Sequence, residues 1–547
     1  LALATSEQLV AELANPNGWR RDTAQRLLVE RQDHKATRSL RRMVRECEAP
    51  LARLHALWSL AGLDDLADDD ILAGLNDPHP GIREHAIRLA ESRLDGFRAI
   101  ANRVRSLADD ANIRVRLQVA LSLGESPDPT VSDALTVIAR RDGSDPWMRA
   151  AVLSSAMRCA GPLLIELLRG PNTSSQDDNP PGRLLHGLAL IVGAHGSRSE
   201  IEQVLGRLAD RAGHKAAPTI VVGLSEGLAR SGKHLSRYVG SSSPAGELLA
   251  ALLAEAQKTC RNPSADPDRR RAAIELLGVA ADFDVVRDLF AQLLSSRQPP
   301  VIQSATIRAL AGFDYADVSG ILLANWSSYT PGTRSEVTEI LLSRRLWIRP
   351  FLDAVAQGTV VAGQIAPARR ERLTNDSDPE IRTIAQRLFN EIAPGPRAEA
   401  LARFRPALAL AGDARRGEKA FETAECINCH QIGKRGHPVG PNLATVQQRT
   451  PESLLEQILD PNREVLPNYL EYVVELDDGR VVTGIIVAET ATSILLRRAQ
   501  RNETAIARPS IQTIRSTGKS LMPEGLEQKL TVQDMADLLA FLAALHP

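Results

Sequence analysis

The sequence predicts a mostly α-helical protein. A long solenoid of stacked helical hairpins is followed by a smaller helical domain carrying a small antiparallel β insertion. Three observations predict this. Residues 1–393 repeat with a period of roughly 32 and two helical patterns per unit. Residues 469–515 switch to Val, Ile and Thr alternating with polar residues around Asp478-Gly479, a strong hairpin signal. Helical patterning flanks that stretch, with Gly417, Ala420, Phe421 and Ala424 on one face before it and a helix over about 531–545 after it.

The repeat shows in DPHPGIREHA (77–86), DPWMRAAV (145–152) and DPEIRTIA (378–385), where a Pro precedes an apolar residue and then Arg. Arg83, Arg116 and Arg149 are spaced by 33. The frame extends back to Arg53 and Arg21 and forward to Arg270, Ile302, Arg334 and Arg382. Three more units fit between Arg149 and Arg270, one of them through RLLHGLALIVG (183–193). Asp is a good N-cap, and Pro at the first helical position loses no hydrogen bond because that N–H is unpaired anyway. HALWSLAGL (55–63) gives an apolar stripe that one hairpin cannot bury alone, so the hairpins must stack. These units resemble the short bacterial HEAT-like repeats, a resemblance that implies fold and is nearly silent on function. The Arg column is expected to cap turns and bond neighbouring repeats, with a ligand ladder as the alternative. Pro394-Gly395-Pro396 ends the array, and 394–411 reads as a connecting helix and linker to a domain at 412–547.

Composition narrows the function classes. Apolar residues are 43% and charged residues 24%, a globular balance rather than a disordered one. Lys and Arg total 66 against 67 Asp and Glu, so no basic excess points to nucleic acid. Apolar runs such as Leu538–Leu545 are too short to span a bilayer. The chain begins with Leu and shows no signal-peptide pattern, so it reads as a fragment or a mature form. Cys47, Cys159 and Cys260 each lie in an apolar helical pattern and read as buried hydrophobes, not a disulfide framework.

Cys426-Ile427-Asn428-Cys429-His430 has a spacing that suggests chemistry. A chance match is expected on the order of once in a thousand chains of this length. Zinc needs two further ligands, yet no cysteine follows Cys429, and His430 to His437 exceeds the usual His–His interval. A dithiol redox site wants a preceding strand in a βαβ context, and here a helix precedes. Haem c explains each letter: the thiols of Cys426 and Cys429 add across the porphyrin vinyl groups, and His430 supplies the proximal iron ligand.

That chemistry asks for a second axial ligand on a loop before a closing helix. Met522, in GKSLMPEGL (518–526) and 92 residues after His430, fits. Met535 lies inside the closing helix and reads as core, His437 is too near His430 in sequence to cross the ring, and His546 lies at the frayed end. A Met/His pair leaves no open iron position, which suits electron transfer better than catalysis.

With these residues in place, 412–546 resembles a class I cytochrome c domain. The stretch Gly440-Pro441-Asn442-Leu443 stands where such proteins pass the chain beneath the haem. The resemblance implies that the Pro441 carbonyl accepts a hydrogen bond from His430, with Gly440 and Leu443 supporting the pocket. It also implies a helix crossing made by Gly417, Phe421 and Phe541. The ensemble of HEAT-like repeats, RPALALAGDARRGEKAFETAECINCH, GPNL, ILDPN, the strands around Asp478-Gly479 and SLMPEGL resembles the planctomycete and verrucomicrobial type of haem-binding C-terminal domain.

In those proteins a sugar-dehydrogenase-like β-propeller often lies upstream, whereas no blade-length strand repeat occurs here. The resemblance implies one covalently attached haem c and a redox partner protein or upstream dehydrogenase domain. Because haem c is attached after export, a periplasmic or otherwise extracytoplasmic setting is expected. No catalytic activity is expected in this chain itself. The alternative is a protein-interaction scaffold whose haem is structural or redox-sensing. The β insertion is expected either to bind a partner or to cover the haem edge.

Overall fold

The computed structural model describes residues 1–169, 180–210, 213–240, 242–390, 397–445, 450–498 and 503–545. The chain forms two compact units, Leu1–Glu255 and Ala256–Pro547. It is mostly helical, with a small antiparallel sheet near the C-terminus.

In the first unit, helices Gly18–Glu30, Pro50–Gly62, Pro80–Ala90, Ile113–Ser122 and Pro146–Ser155 pack each against the next. Thr37–Glu46, Asp68–Leu75, Arg98–Ser106 and Val131–Asp142 form a second layer. Leu28, Leu40, Leu57 and Leu60 are buried between the layers, so each hairpin completes its core only by stacking. The expected caps hold in part. Asp145 accepts from the amides of Trp147 and Met148 at 2.9 Å each, ahead of Pro146. In DPHPG the cap is instead His79, whose Nδ1 accepts from the Gly81 amide at 3.2 Å. That leaves Asp77 free for another role.

Its role is to receive the Arg column. Arg53 donates from Nε and Nη2 to the Asp77 carboxylate at 2.6 and 2.8 Å, and from Nη1 to the carbonyls of Cys47 and Glu48 at 2.7 and 2.9 Å. Arg83 repeats this with Asp110 and with the carbonyls of Asp77 and Pro78. Arg116 does so with Asp142 and with the carbonyls of Asp110 and Ala111. Each guanidinium thus closes its own turn and grips the next repeat, using its planar fork of donors. The column is structural.

The second unit continues the hairpins with Pro267–Ala280, Phe283–Leu293, Pro300–Ala311, Asp317–Ala324, Pro331–Ser343 and Arg345–Ala356. Arg270 donates to the Cys260 carbonyl and Gln298, and Arg334 to the carbonyls of Trp326 and Ser327. Ile302 is not the column residue of its repeat. Gln303 is, donating to the carbonyls of Leu294 and Ser295 at 3.2 and 2.8 Å. The role belongs to the fourth residue of the helix, and Pro300 sets where that count begins. Arg382 keeps the local bond, to the Asp376 carbonyl at 2.7 Å. Pro394-Gly395-Pro396 lies outside the described residues. Beyond it come Ala398–Phe404 and a 3₁₀ stretch, Arg405–Ala409.

Two short strands, β1 (Gln431–Ile432) and β2 (Arg435–Gly436), form an antiparallel pair. The insertion holds β3 (Leu470–Leu476), β4 (Val481–Glu489), β5 (Ser493–Arg497), β6 (Glu503–Ala507) and β7 (Ile511–Ser520). They form an open antiparallel sheet in the order β6-β5-β4-β3-β7, extending past the expected limit at 515. Gly479, at φ 82°, makes the β3–β4 turn, and Leu470, Tyr472, Val474 and Leu476 point into one core.

This sheet packs on the preceding repeats of its own unit. Arg508 donates to the carbonyls of Ser296 and Gln298 at 3.1 and 3.2 Å, and Thr330 donates to Glu489 at 2.9 Å. Arg334 lies 5.6 Å from the centroid of Trp326 and 5.5 Å from that of Tyr472, a cation held over both rings.

Candidate haem site

The site is assembled from a helix end and a returning loop. The leading helix, Ala414–Thr423, is capped by Asp413, whose carboxylate accepts from the amides of Arg415 and Arg416 at 2.9 Å each. Glu425 then takes a left-handed conformation at φ 59°, which ends the helix and starts a 3₁₀ turn over Cys426–Asn428. The amides of Cys429 and His430 both donate to the Cys426 carbonyl, at 3.2 and 2.9 Å. Five consecutive residues are thereby wound so tightly that two thiols and an imidazole leave one turn.

The loop after β2 returns onto this turn. The amides of Val439 and Gly440 donate to the Cys429 carbonyl at 3.0 and 2.7 Å, and that of Leu443 to the Gln431 carbonyl at 3.0 Å. His430 Nδ1 lies 3.0 Å from the Pro441 carbonyl oxygen, so this nitrogen carries the proton and donates. Gly440 packs flat on the ring: a Cβ there would lie 2.7 Å from Cε1 and 2.9 Å from Nδ1. Among the described residues nothing hydrogen-bonds Nε2.

Electrostatics agree with that donor set. Burial pushes the Cys426 thiol up to about 11 and raises that of Cys429 as well. Burial thus makes both thiols harder to ionise, unlike the activated thiolate of a dithiol redox site. Burial lowers the His430 pKa, opposed by the Pro441 carbonyl, which keeps the imidazole neutral and able to ligate. Among the described residues all five cysteines are free, and no three His, Cys, Asp or Glu side chains gather to hold a metal ion. Two thiols outside any disulfide, beside an imidazole with one nitrogen to spare, fit a haem.

The leading helix crosses the closing helix, Val532–Ala544, at Gly417, where a Cβ would lie 2.0 Å from the Asp537 carbonyl oxygen. Phe421 and Phe541 meet with ring centroids 5.9 Å apart, and Arg416 donates to the Asp537 carboxylate at 2.7 and 3.0 Å. Phe421, Leu455, Leu459 and the fully buried Met535 share one core, so Met535 is a packing residue.

Met522 follows β7 and is part-buried, its amide donating to Ser520 Oγ at 3.1 Å. Among the described residues no hydrogen bond joins it to the His430 cluster. His437 is part-buried without a bond to His430, and His546 lies outside the described residues. Sequence reasoning missed two residues here. Arg497, on β5, donates to the Pro438 carbonyl at 2.7 Å, and Asn462 bonds both sides of Met522. Asn462 stands in the ILDPN stretch, just after the helix Pro451–Leu459.

Comparison with known proteins agrees on the two parts of the chain. The model for HEAT repeats matches residues 68–157, and the model for cytochrome c matches 414–468. The chain therefore carries HEAT repeats and a cytochrome c domain, and the latter implies a haem cofactor. No curated protein matches it.

Among solved structures, Kap121p is 14% identical at a TM-score of 0.44, with 77% of this chain and 49% of that chain covered. Kap121p bound to Nup53p is 13% identical at 0.44, over 77% and 49%. The karyopherin Kap121p bound to the extreme C-terminus of the protein phosphatase Cdc14p is 14% identical at 0.41, over 73% and 53%. The chain spans about half the length of these structures. Among the described residues no helix is long and apolar enough to cross a membrane.

Proposed function

We propose that this chain is an electron-transfer module: a cytochrome with one covalently attached haem c, joined to a repeat solenoid that positions its partners. The observation that carries the reading is His430, held through Nδ1 by the Pro441 carbonyl at 3.0 Å, with no hydrogen bond to Nε2 among the described residues and two free cysteines in the same turn. When bound, the haem supplies a one-electron couple.

The chain's own residues do the rest. Cys426 and Cys429 would anchor the group, and His430 would ligate its iron. The Pro441 carbonyl fixes its tautomer and orientation, and Gly440 leaves the ring its space. Phe421 and Phe541, with Gly417, lock the two helices that frame the pocket. Met522 would supply the second protein ligand to the iron. An electron comes from a dehydrogenase domain upstream or a soluble donor and leaves to another carrier. Attachment of haem c follows export, so the module works in the periplasm or another extracytoplasmic space.

The test is a potentiometric titration of the haem-loaded full chain, followed by absorbance. A single reversible one-electron wave with a methionine-ligated spectrum is expected. Rapid peroxide turnover, or a haem with an open coordination position, would overturn the reading.

A second reading, an interaction scaffold whose haem is structural or redox-sensing, draws on Trp19 and Trp147 in the first unit. These are 69% and 77% exposed at the first turns of two repeat helices. Tight partner binding that is indifferent to haem redox state would favour it.

A further inference from the structure

The segment between β7 and the closing helix is fastened at two points to one side chain. Asn462 Oδ1 accepts the Ser520 amide at 2.8 Å, and Asn462 Nδ2 donates to the Glu524 carboxylate. Ser520 Oγ in turn accepts the Met522 amide at 3.1 Å. Met522 therefore sits midway between two residues, each two positions away, that are held by the same amide group. Asn462 follows the helix Pro451–Leu459, whose Leu454, Leu455 and Leu459 are buried with Phe421 and Leu539 in the core of the leading and closing helices. The clasp is thus referenced to the same rigid body that carries Cys426, Cys429 and His430.

We infer that Asn462 is a positioning residue for Met522, holding the 520–524 loop so that the thioether stays at the haem iron. This rests on Met522 being the sixth ligand. The residue type suits the task. A carboxamide offers an acceptor and a donor at once, which the Ser520 amide and the Glu524 carboxylate require. Asp would lose the donor and face Glu524 with like charge, and Ala would lose both bonds. A methionine ligand on a loop is retained only while the loop's alternatives cost more than the bond itself. Removing the clasp therefore releases Met522 without touching the covalent attachment.

The experiment follows the far-red methionine–iron band of the oxidised, haem-loaded full chain as pH is raised, in the parent, Asn462→Ala, Glu524→Ala and Met522→Ala proteins. Asn462→Ala is expected to keep its covalent haem and to lose the band about one pH unit earlier than the parent. That is the tenfold weakening expected when two hydrogen bonds of modest net strength are lost together. Glu524→Ala, an exposed position that removes only one of the two bonds, should shift the loss in the same direction by less. It decides the matter if Asn462→Ala does not fold.

Loss of the band at the parent pH in both variants would overturn the inference. Met522→Ala is the independent arm. It should lack the band at every pH, and a retained band there would refute Met522 as ligand rather than Asn462 as its clasp.

Discussion

The hydroxyl of Tyr472 donates to the carbonyl oxygen of Tyr329 over 2.8 Å, between two fully buried side chains. Tyr472 belongs to the β insertion and Tyr329 to the repeats, so this bond fastens one to the other within the second unit. The hydroxyl of Tyr329 itself has no partner among the described residues.

Two neighbouring tyrosines should therefore answer differently to the same change. Tyr472→Phe removes a donor and leaves a buried carbonyl unpaired, a loss of about 1–3 kcal/mol. Tyr329→Phe removes a hydroxyl that gains nothing from the fold and should be neutral or stabilising. Urea denaturation of both variants, followed by circular dichroism and haem absorbance, checks the contrast.

The Arg column predicts a large cost for an unpaired partner. Arg53 and Asp77 are both buried and bonded through two nitrogens. Arg53→Ala leaves the carboxylate without its cation and should destabilise the first unit by about 3–5 kcal/mol. The doubly apolar variant, Arg53→Met with Asp77→Leu, should cost much less. Thermal and chemical unfolding of the two proteins separate a structural pair from a ligand ladder.

At the helix crossing, the hydrogen bonds from Arg416 draw the Asp537 pKa down to about 2, helped by the Asp413 amide and opposed by desolvation. An acid whose pKa is depressed by folding stabilises the fold above its unfolded value, near 3.8, and loses that contribution as pH falls through about 2. The haem region should therefore weaken between about pH 4 and pH 2, and Asp537→Asn should flatten that dependence. Equilibrium unfolding against pH, read at the haem, measures it.

Gly440 makes the sharpest steric prediction at the site. A Cβ there would lie 2.7 Å from His430 Cε1, closer than real contacts allow. Gly440→Val should displace the ring from the Pro441 carbonyl, so that covalent haem is retained but its ligation spectrum changes. A normal low-spin spectrum in that variant would contradict the packing.

Sequence reading went furthest where chemistry is local. Cys426, Cys429 and His430 lie within one turn, and Gly440 to Leu443 within one loop, so spacing and family resemblance find them together. The helix crossing was expected from the family resemblance alone, which pairs Gly417 and Phe421 with Phe541. Ile302 was misplaced because a period counts residues, whereas the role depends on distance from a helix start that Pro300 fixes. The insertion's strands were legible from alternation, but their use was not: Tyr472 meets Tyr329, and Arg508 meets Ser296, across long separations that no local pattern records. Asn462 and Arg497 escaped for the same reason, since each acts on a backbone atom of a distant loop.

The account's central claim is that Cys426 and Cys429 hold haem covalently. The most direct measurement is the intact mass of the denatured full chain, made in cells that mature c-type cytochromes. The account predicts a mass increased by one haem that survives acid–acetone extraction and disappears in the Cys426→Ser, Cys429→Ser protein. A chain at its bare polypeptide mass, or one that releases its haem on extraction, would contradict it.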